Sequence, residues 1–163
     1  MLIIGCGNRQ RGDDAAGILV AERLRELGVE TVTRIGQAAD LIEAWTGSDD
    51  VIVVDAVVTG APVGTVQMWE GQLPPTCLNA TASTHTLGLA EALELAKVLN
   101  RLPTRLRVYG IEGVRFEPGL EVSPEVWRAV AEVVRRIIAD HKCVIDAGIS
   151  PGSRSFYPGG AAR

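Results

Sequence analysis

The sequence is poor in aromatic residues, cysteine and histidine. Aromatic side chains make up 4% of the 163 residues, so the core must be built from Val, Leu, Ile and Ala. The three cysteines, Cys6, Cys77 and Cys143, are far apart and form no Cys-x-x-Cys pair. This spacing argues against a disulfide scaffold or a zinc knuckle. We therefore expect reduced thiols in a cytoplasmic protein.

Neither an excess of positive charge nor a long apolar run is present. The net charge is −4, from 16 basic and 20 acidic residues, which argues against a broad nucleic-acid surface. The first apolar run, Met1–Ile4, follows no charged segment and is far too short for a signal peptide or a membrane span. A chain of this length with 47% hydrophobic residues is expected to form one soluble domain.

Apolar segments alternate with amphipathic ones, which predicts a three-layer α/β fold with a mostly parallel sheet between helices. Val51–Val54 is wholly apolar, as expected for a buried parallel strand. The Gly and Pro residues after it predict that Gly64–Trp69 returns antiparallel. We expect this domain to span residues 1–147, and the Gly-, Pro- and Ser-rich residues 148–163 to form a flexible tail. The other predicted strands are Met1–Ile4, Glu30–Ile35 and Arg105–Ile111, and the predicted helices are Asp13–Leu27, Ala38–Trp45, Thr86–Leu99 and Ser123–Asp140.

The first and last of these helices have apolar residues at helical spacing. Such residues are expected to form the face that packs on the sheet. They are Ile18, Leu19, Leu24 and Leu27 in the first helix, and Val126, Trp127, Val130, Val133, Val134, Ile137 and Ile138 in the last.

A glycine loop follows the first strand and ends in two adjacent aspartates, in the sequence GCGNRQRGDDAAG. Gly5 and Gly7 fit the dinucleotide-binding fingerprint. Gln10, however, occupies the position of the third glycine, and no acidic residue ends the second strand. The Gly-Lys-Ser/Thr signature of a P-loop does not occur either. Asp13 and Asp14 occupy the helix start, where a phosphate would bind. We therefore expect no nucleotide cofactor, and we keep a nucleotide-binding module only as the least favoured hypothesis.

Three residues from separate segments are predicted to meet at the carboxyl ends of the strands, where ligands bind in open parallel sheets. Asp14 lies just past the first strand, Asp55 directly follows a buried strand, and His85 lies at the start of the third helix. Asp13 is the expected helix cap. Two carboxylates and one imidazole suit Zn, Ni, Mn or Fe(II) with open coordination positions. Each residue also has a structural reading, with Asp14 as a first-turn acid, Asp55 as a turn cap and His85 at a helix end.

Other candidates are weaker. Cys6 lies in the glycine loop, where His85 could serve as its base, but its position suits a small buried residue equally well. His141 stands at the end of the last predicted helix, where a histidine favours the helix dipole. Ser83 and Thr84 are typical helix caps.

Four stretches together resemble the motifs of the hydrogenase maturation proteases, which trim the C-terminus of the large subunit of nickel–iron hydrogenases. In chain order they are IIGCGNRQRGDDAAG, VIVVDAVVTGAPVGTV, STHTLGLAEAL and VYGIEG. The resemblance implies a twisted, mostly parallel sheet between helices, and it implies that Asp14, Asp55 and His85 bind the metal. Many family members carry Glu at the position of Asp14. The stretch RIGQAADL departs from a more glycine-rich family version and is expected to line the substrate cleft.

The resemblance implies an endopeptidase that removes the C-terminal extension of a hydrogenase large-subunit precursor after nickel insertion. The precursor would supply the nickel, and the protein would act as a monomer, without nucleic acid or membrane. Hydrolysis would either use the metal to polarise the carbonyl and activate water, or use Asp14 or Asp55 as a base toward water. The alternative is a metal-binding chaperone that docks on the same precursor without cutting it.

Overall fold

A computed structural model describes residues 1–73 and 84–146, with the side chains of 1–73 and 88–141. Within these ranges five strands form a sheet, and four α-helices and a short 3-10 turn accompany it. The predicted tail, residues 148–163, lies outside the described residues, as do Cys77 and the side chain of Cys143. The strands are β1 (Leu2–Cys6), β2 (Thr31–Arg34), β3 (Asp50–Val57), β4 (Val66–Glu70) and β5 (Arg105–Glu112); the helices are α1 (Ala16–Glu26), α2 (Ala38–Trp45), α3 (Thr84–Val98) and α4 (Pro124–Asp146), and the 3-10 turn is Gly12–Ala15.

The predicted three-layer α/β fold is confirmed. The strand order is β2-β1-β3-β5-β4, and β4 is antiparallel to β5, as the Gly/Pro punctuation predicts, while the other pairs are parallel. Alternate residues of β3 point into two cores on opposite faces of the sheet. Ile52 and Val54 pack with α1 and α4, whereas Val51 and Val53 pack with α2 and α3.

Strands β1 and β3 end two and three residues later than predicted, and the longer β3 changes the setting of Asp55. Strand β3 continues through Val57, because its last residues pair with the end of β5. Asp55 therefore lies inside a strand and not directly after it. Strand β1 likewise includes Gly5, which the sequence places in a turn. A Cβ at Gly5 would stand 2.2 Å from the carbonyl oxygen of Gly17, so this glycine lets α1 approach the strand closely.

The apolar faces of the helices differ in part from the prediction. In α1 the sheet-facing residues include small ones such as Gly17 and Ala21, and Leu27 is 60% exposed at the helix end. In α4 the predicted face is buried except for Ile138, which is partly buried, and Trp127, which is 51% exposed. Helix α4 also continues six residues past Asp140. In α1 the close approach at Gly5 favours small side chains over the larger ones that spacing alone selects.

A buried arginine links the sheet to α4, at the end of the sheet opposite Asp55. Arg107 of β5 donates hydrogen bonds to Asp50 at 3.1 Å and to Asp140 at 2.9 Å. Such a pair stabilises only while both partners are present, because a buried charge without a partner is costly. No helix within the described ranges combines the length and the apolar character needed to cross a membrane.

Candidate active site

The first loop brings Asp14 to the carboxyl edge of the sheet. Asp14 lies in the 3-10 turn and is 1% exposed. The loop folds back tightly, since a Cβ at Gly7 would stand 1.8 Å from the carbonyl oxygen of Asp14 and Gly7 has a φ of 129°. The Asn8 N–H donates to the same carbonyl oxygen at 3.2 Å. The backbone of Asp14 is thus held by the glycine loop that precedes it.

Asp55 is a fully buried carboxyl group on the same edge. Its Oδ1 accepts a hydrogen bond from the Ala56 N–H at 2.9 Å, and its Oδ2 has no hydrogen-bond partner among the described residues. Burial, together with the negative charge of Asp14, raises the pKa of Asp55 to about 8, against the smaller opposing effect of the Ala56 N–H. Asp55 therefore keeps its proton at neutral pH, and the two aspartates lie near enough to influence each other.

The backbone of His85 lies in the first turn of α3, and its side chain is outside the described residues. Gly88, three residues later, packs on the loop after β2, since a Cβ there would stand 2.0 Å from the Gly36 carbonyl oxygen. Among the described side chains, which exclude that of His85, no three His, Cys, Asp or Glu residues are grouped to hold a metal ion. Convergence of His85 with Asp14 and Asp55 stays a prediction.

The prediction that Asp13 caps the first helix is wrong. The 3-10 turn has no side-chain cap, and the Asp13 carboxylate accepts hydrogen bonds from a distant loop instead. The donors are the N–H groups of Val114, Arg115 and Ser123 and the hydroxyl of Ser123. The residues after β5 fold over the first loop, and their four donors outcompete the helix start for this carboxylate.

Cys6 is a free, buried residue at the end of β1. Its pKa is raised well above the ordinary value, mainly by burial and then by the charge of Asp55; Arg34 opposes this rise and Asp14 adds to it. A protonated thiol is a poor nucleophile, so the structure favours the packing role for Cys6. His141 is not at a helix end, since α4 continues to Asp146.

Glu112 is a further buried carboxylate, and the sequence patterns did not single it out. It ends β5 and is 2% exposed. Its oxygens accept hydrogen bonds from the Thr59 N–H and hydroxyl, both at 2.8 Å, and from the Gly60 N–H at 2.9 Å. Glu112 thus holds the turn that follows the Asp55 strand. The signal in the sequence is an acidic residue directly after an apolar strand, the same signal that singled out Asp55.

Gly110 pairs with Asp55 across β3 and β5. A Cβ at Gly110 would stand 2.6 Å from the indole ring of Trp69. The ring therefore lies against Gly110, the residue that neighbours Asp55 in the sheet.

Comparison with known proteins shows the family to which this chain belongs. The family model HycI, described as hydrogenase maturation protease, matches residues 27–140, which include Asp55 and His85. The chain belongs to the hydrogenase maturation protease family. It is 25% identical over 146 residues to the Hydrogenase 2 maturation protease of Escherichia coli strain K12, covering 85% of this chain and 88% of that protein.

Solved structures of family members share the fold. The NiFe hydrogenase maturation protease HybD from Thermococcus kodakarensis superposes with a TM-score of 0.68 at 26% identity, covering 86% of this chain and 97% of that one. The hydrogenase maturating endopeptidase HybD from E. coli gives a TM-score of 0.73 over 90% of this chain and 93% of its own, at 24% identity. The resemblance inferred from the four motifs is confirmed at the level of family and fold.

Proposed function

We propose that this protein is an endopeptidase that removes the C-terminal extension of a nickel–iron hydrogenase large-subunit precursor after nickel insertion. Family membership supports the protease class. The observation that supports nickel recognition is the pair of buried aspartates, Asp14 and Asp55. Within this pair, Oδ2 of Asp55 lacks a hydrogen-bond partner among the described residues. A buried oxygen in that state is a group that an arriving cation can engage.

Recognition of nickel follows from the charges of this pair. In the free protein, burial and the charge of Asp14 raise the pKa of Asp55, so ionising both carboxyls is unfavourable. A precursor that carries nickel brings a positive charge that favours the ionised form of Asp55. A precursor without nickel brings no such charge. The site would therefore engage the loaded precursor preferentially, with Asp14, Asp55 and His85 approaching the nickel.

Two routes to peptide hydrolysis fit these residues. Nickel in the substrate would polarise the scissile carbonyl and activate water. Alternatively, Asp14 or Asp55, once ionised, would accept a proton from the attacking water, and a carboxyl with a pKa near the working pH suits that role. We further propose that the protein acts as a cytoplasmic monomer without a nucleotide cofactor.

The test is cleavage of a purified large-subunit precursor prepared with and without nickel. Mass spectrometry of the precursor should show loss of the C-terminal extension only in the nickel-loaded sample. Asp14→Asn, Asp55→Asn and His85→Ala should each abolish this loss. Asp49→Asn, an exposed aspartate just before β3, should cleave like the wild type.

The outcomes separate the hypotheses. Binding of the loaded precursor with unchanged precursor mass would support the non-cleaving chaperone instead. Equal cleavage with and without nickel would contradict nickel recognition. Normal cleavage by both Asp55→Asn and His85→Ala would contradict the site.

A further inference from the structure

Asp13 is a buried carboxylate that the proposed reaction does not use. It precedes Asp14 in the chain and is 0% exposed. Its Oδ2 accepts hydrogen bonds from the Val114 N–H at 2.9 Å, the Arg115 N–H at 3.0 Å and the Ser123 hydroxyl at 2.9 Å. Its Oδ1 accepts the Ser123 N–H at 2.7 Å. All four donors come from the segment 113–123 between β5 and α4, about 100 residues away in sequence.

Backbone contacts bind the same two segments together. The Asp13 N–H donates to the Arg115 carbonyl at 2.7 Å, and the Gly119 N–H donates to the Gln10 carbonyl at 2.8 Å. A Cβ at Gly12 would stand 2.6 Å from the Arg115 carbonyl oxygen. The segment 113–123 therefore lies directly on the loop that carries the two aspartates.

The backbone of Asp14 is part of this arrangement. Its N–H donates to the Arg11 carbonyl at 3.1 Å, and its carbonyl accepts the Asn8 N–H at 3.2 Å. Asp13 and Asp14 share a peptide bond, so a shift of Asp13 reorients the Asp14 side chain. The four bonds to Asp13 thus restrain the direction in which the Asp14 carboxylate points.

We propose that Asp13 is a positioning residue for the cleavage reaction. By binding segment 113–123 it holds the 3-10 turn in place and keeps the Asp14 carboxylate directed toward Asp55. Asp13 itself touches neither substrate nor nickel. This inference rests on the proposed function, because it assigns Asp14 to the reacting site.

Asp13→Asn is the sharpest perturbation because it preserves shape while it removes the charge and replaces one acceptor oxygen with an NH₂ donor. In one orientation the new NH₂ group faces the Ser123 N–H, and in the other it faces the N–H groups of Val114 and Arg115. Donor then meets donor whichever way the amide turns. Ser123→Ala is the milder variant, since it removes one of the four donors and keeps the backbone N–H.

The kinetic arm uses the full-length protein and the nickel-loaded precursor. For Asp13→Asn we expect kcat to fall roughly 100-fold while KM stays within about threefold, because misplacement of one reacting group by ~1 Å costs about that much. Ser123→Ala should lower kcat by a smaller factor. The matched control is Asp140→Asn, which removes a partner of Arg107 at the opposite end of the sheet; it should keep the wild-type kcat even where it lowers the melting temperature.

The structural arm measures amide hydrogen exchange and does not depend on cleavage. In Asp13→Asn the amides of Asn8 and Asp14 should exchange at least ~10-fold faster than in the wild type, while amides of β3 stay protected. A role in stability alone would speed exchange throughout the domain and leave kcat of the folded fraction unchanged.

The two arms distinguish failure of this inference from failure of the proposed function. Wild-type kcat and wild-type exchange at Asn8 and Asp14 in folded Asp13→Asn would overturn the positioning role. If Asp13→Asn does not fold, the same readouts on Ser123→Ala decide, with unchanged kcat and unchanged exchange counting against the role. A wild-type protein that cleaves no precursor refutes the proposed function, and the exchange measurement still decides whether Asp13 holds Asp14.

Discussion

Replacing Asp55 with Asn should make the free protein more stable at neutral and alkaline pH while abolishing cleavage. Burial and the charge of Asp14 raise the pKa of Asp55 from the ordinary 3.8 to about 8. Well below pH 3.8 the carboxyl is protonated in both the folded and the unfolded chain. As the pH rises, the unfolded chain releases this proton and the folded chain keeps it, so the free energy of unfolding falls until the pH passes about 8.

The magnitude follows from the width of this window. Each pH unit between the two pKa values costs about 1.4 kcal/mol of stability, so the span from pH 5 to pH 8 corresponds to about 4 kcal/mol. Structural relaxation and water penetration reduce such costs in real proteins, and we expect at least about 2 kcal/mol to remain. That is a large share of a typical unfolding free energy of ~5–15 kcal/mol. Asn at position 55 has no proton to release and avoids this loss.

Urea unfolding at a series of pH values between 5 and 8.5 tests the reasoning. The free energy of unfolding of Asp55→Asn minus that of the wild type should increase steadily with pH and level off above pH 8. Asp49→Asn, which removes an exposed carboxyl group, is the matched control. Parallel curves for Asp55→Asn and the wild type would refute the claim that Asp55 titrates from a buried position.

Three further changes test other parts of the structure. Glu112→Ala should destabilise the fold by ~1–3 kcal/mol in urea, because it leaves the N–H groups of Thr59 and Gly60 without their acceptor; no change relative to Glu121→Ala, at an exposed position, would contradict this. Gly17→Ala should cost about 3 kcal/mol or leave the protein insoluble, since its Cβ would stand 2.2 Å from the Val54 carbonyl oxygen; a normal melting temperature would contradict that approach. His85→Ala should keep a near-wild-type circular dichroism spectrum and lose cleavage, and retained cleavage would count against a role for the imidazole.

Local sequence patterns predicted the elements because helices and strands have their own hydrophobic periods. The apolar run Val51–Val54 predicted a buried parallel strand, and the Gly/Pro punctuation predicted the antiparallel return. The ends of the strands were harder, because pairing across the sheet decides them. Ala56 and Val57 belong to β3 through their partners on β5, and no local pattern reports that pairing.

The buried aspartates likewise combine a feature that the local sequence predicts with one that only distant residues decide. A charged residue beside a wholly apolar strand is expensive, and this was enough to single out Asp55 from the sequence. The role of Asp13 depends on donors about 100 residues away, so a local reading could see only a helix cap. Its hydrogen-bond donors reach it only because the segment after β5 folds over the first loop.

The sequence by itself determined the fold class, the family and the candidate carboxyl groups of Asp14 and Asp55, because each of these follows from local composition and spacing. The tertiary structure alone decided which carboxyl group would hold a proton and which would hold a loop. The pKa of Asp55 is raised by its burial and by the charge of Asp14, and the hydrogen bonds of Asp13 come from a distant segment. Both effects arise only when residues far apart in the chain are brought together.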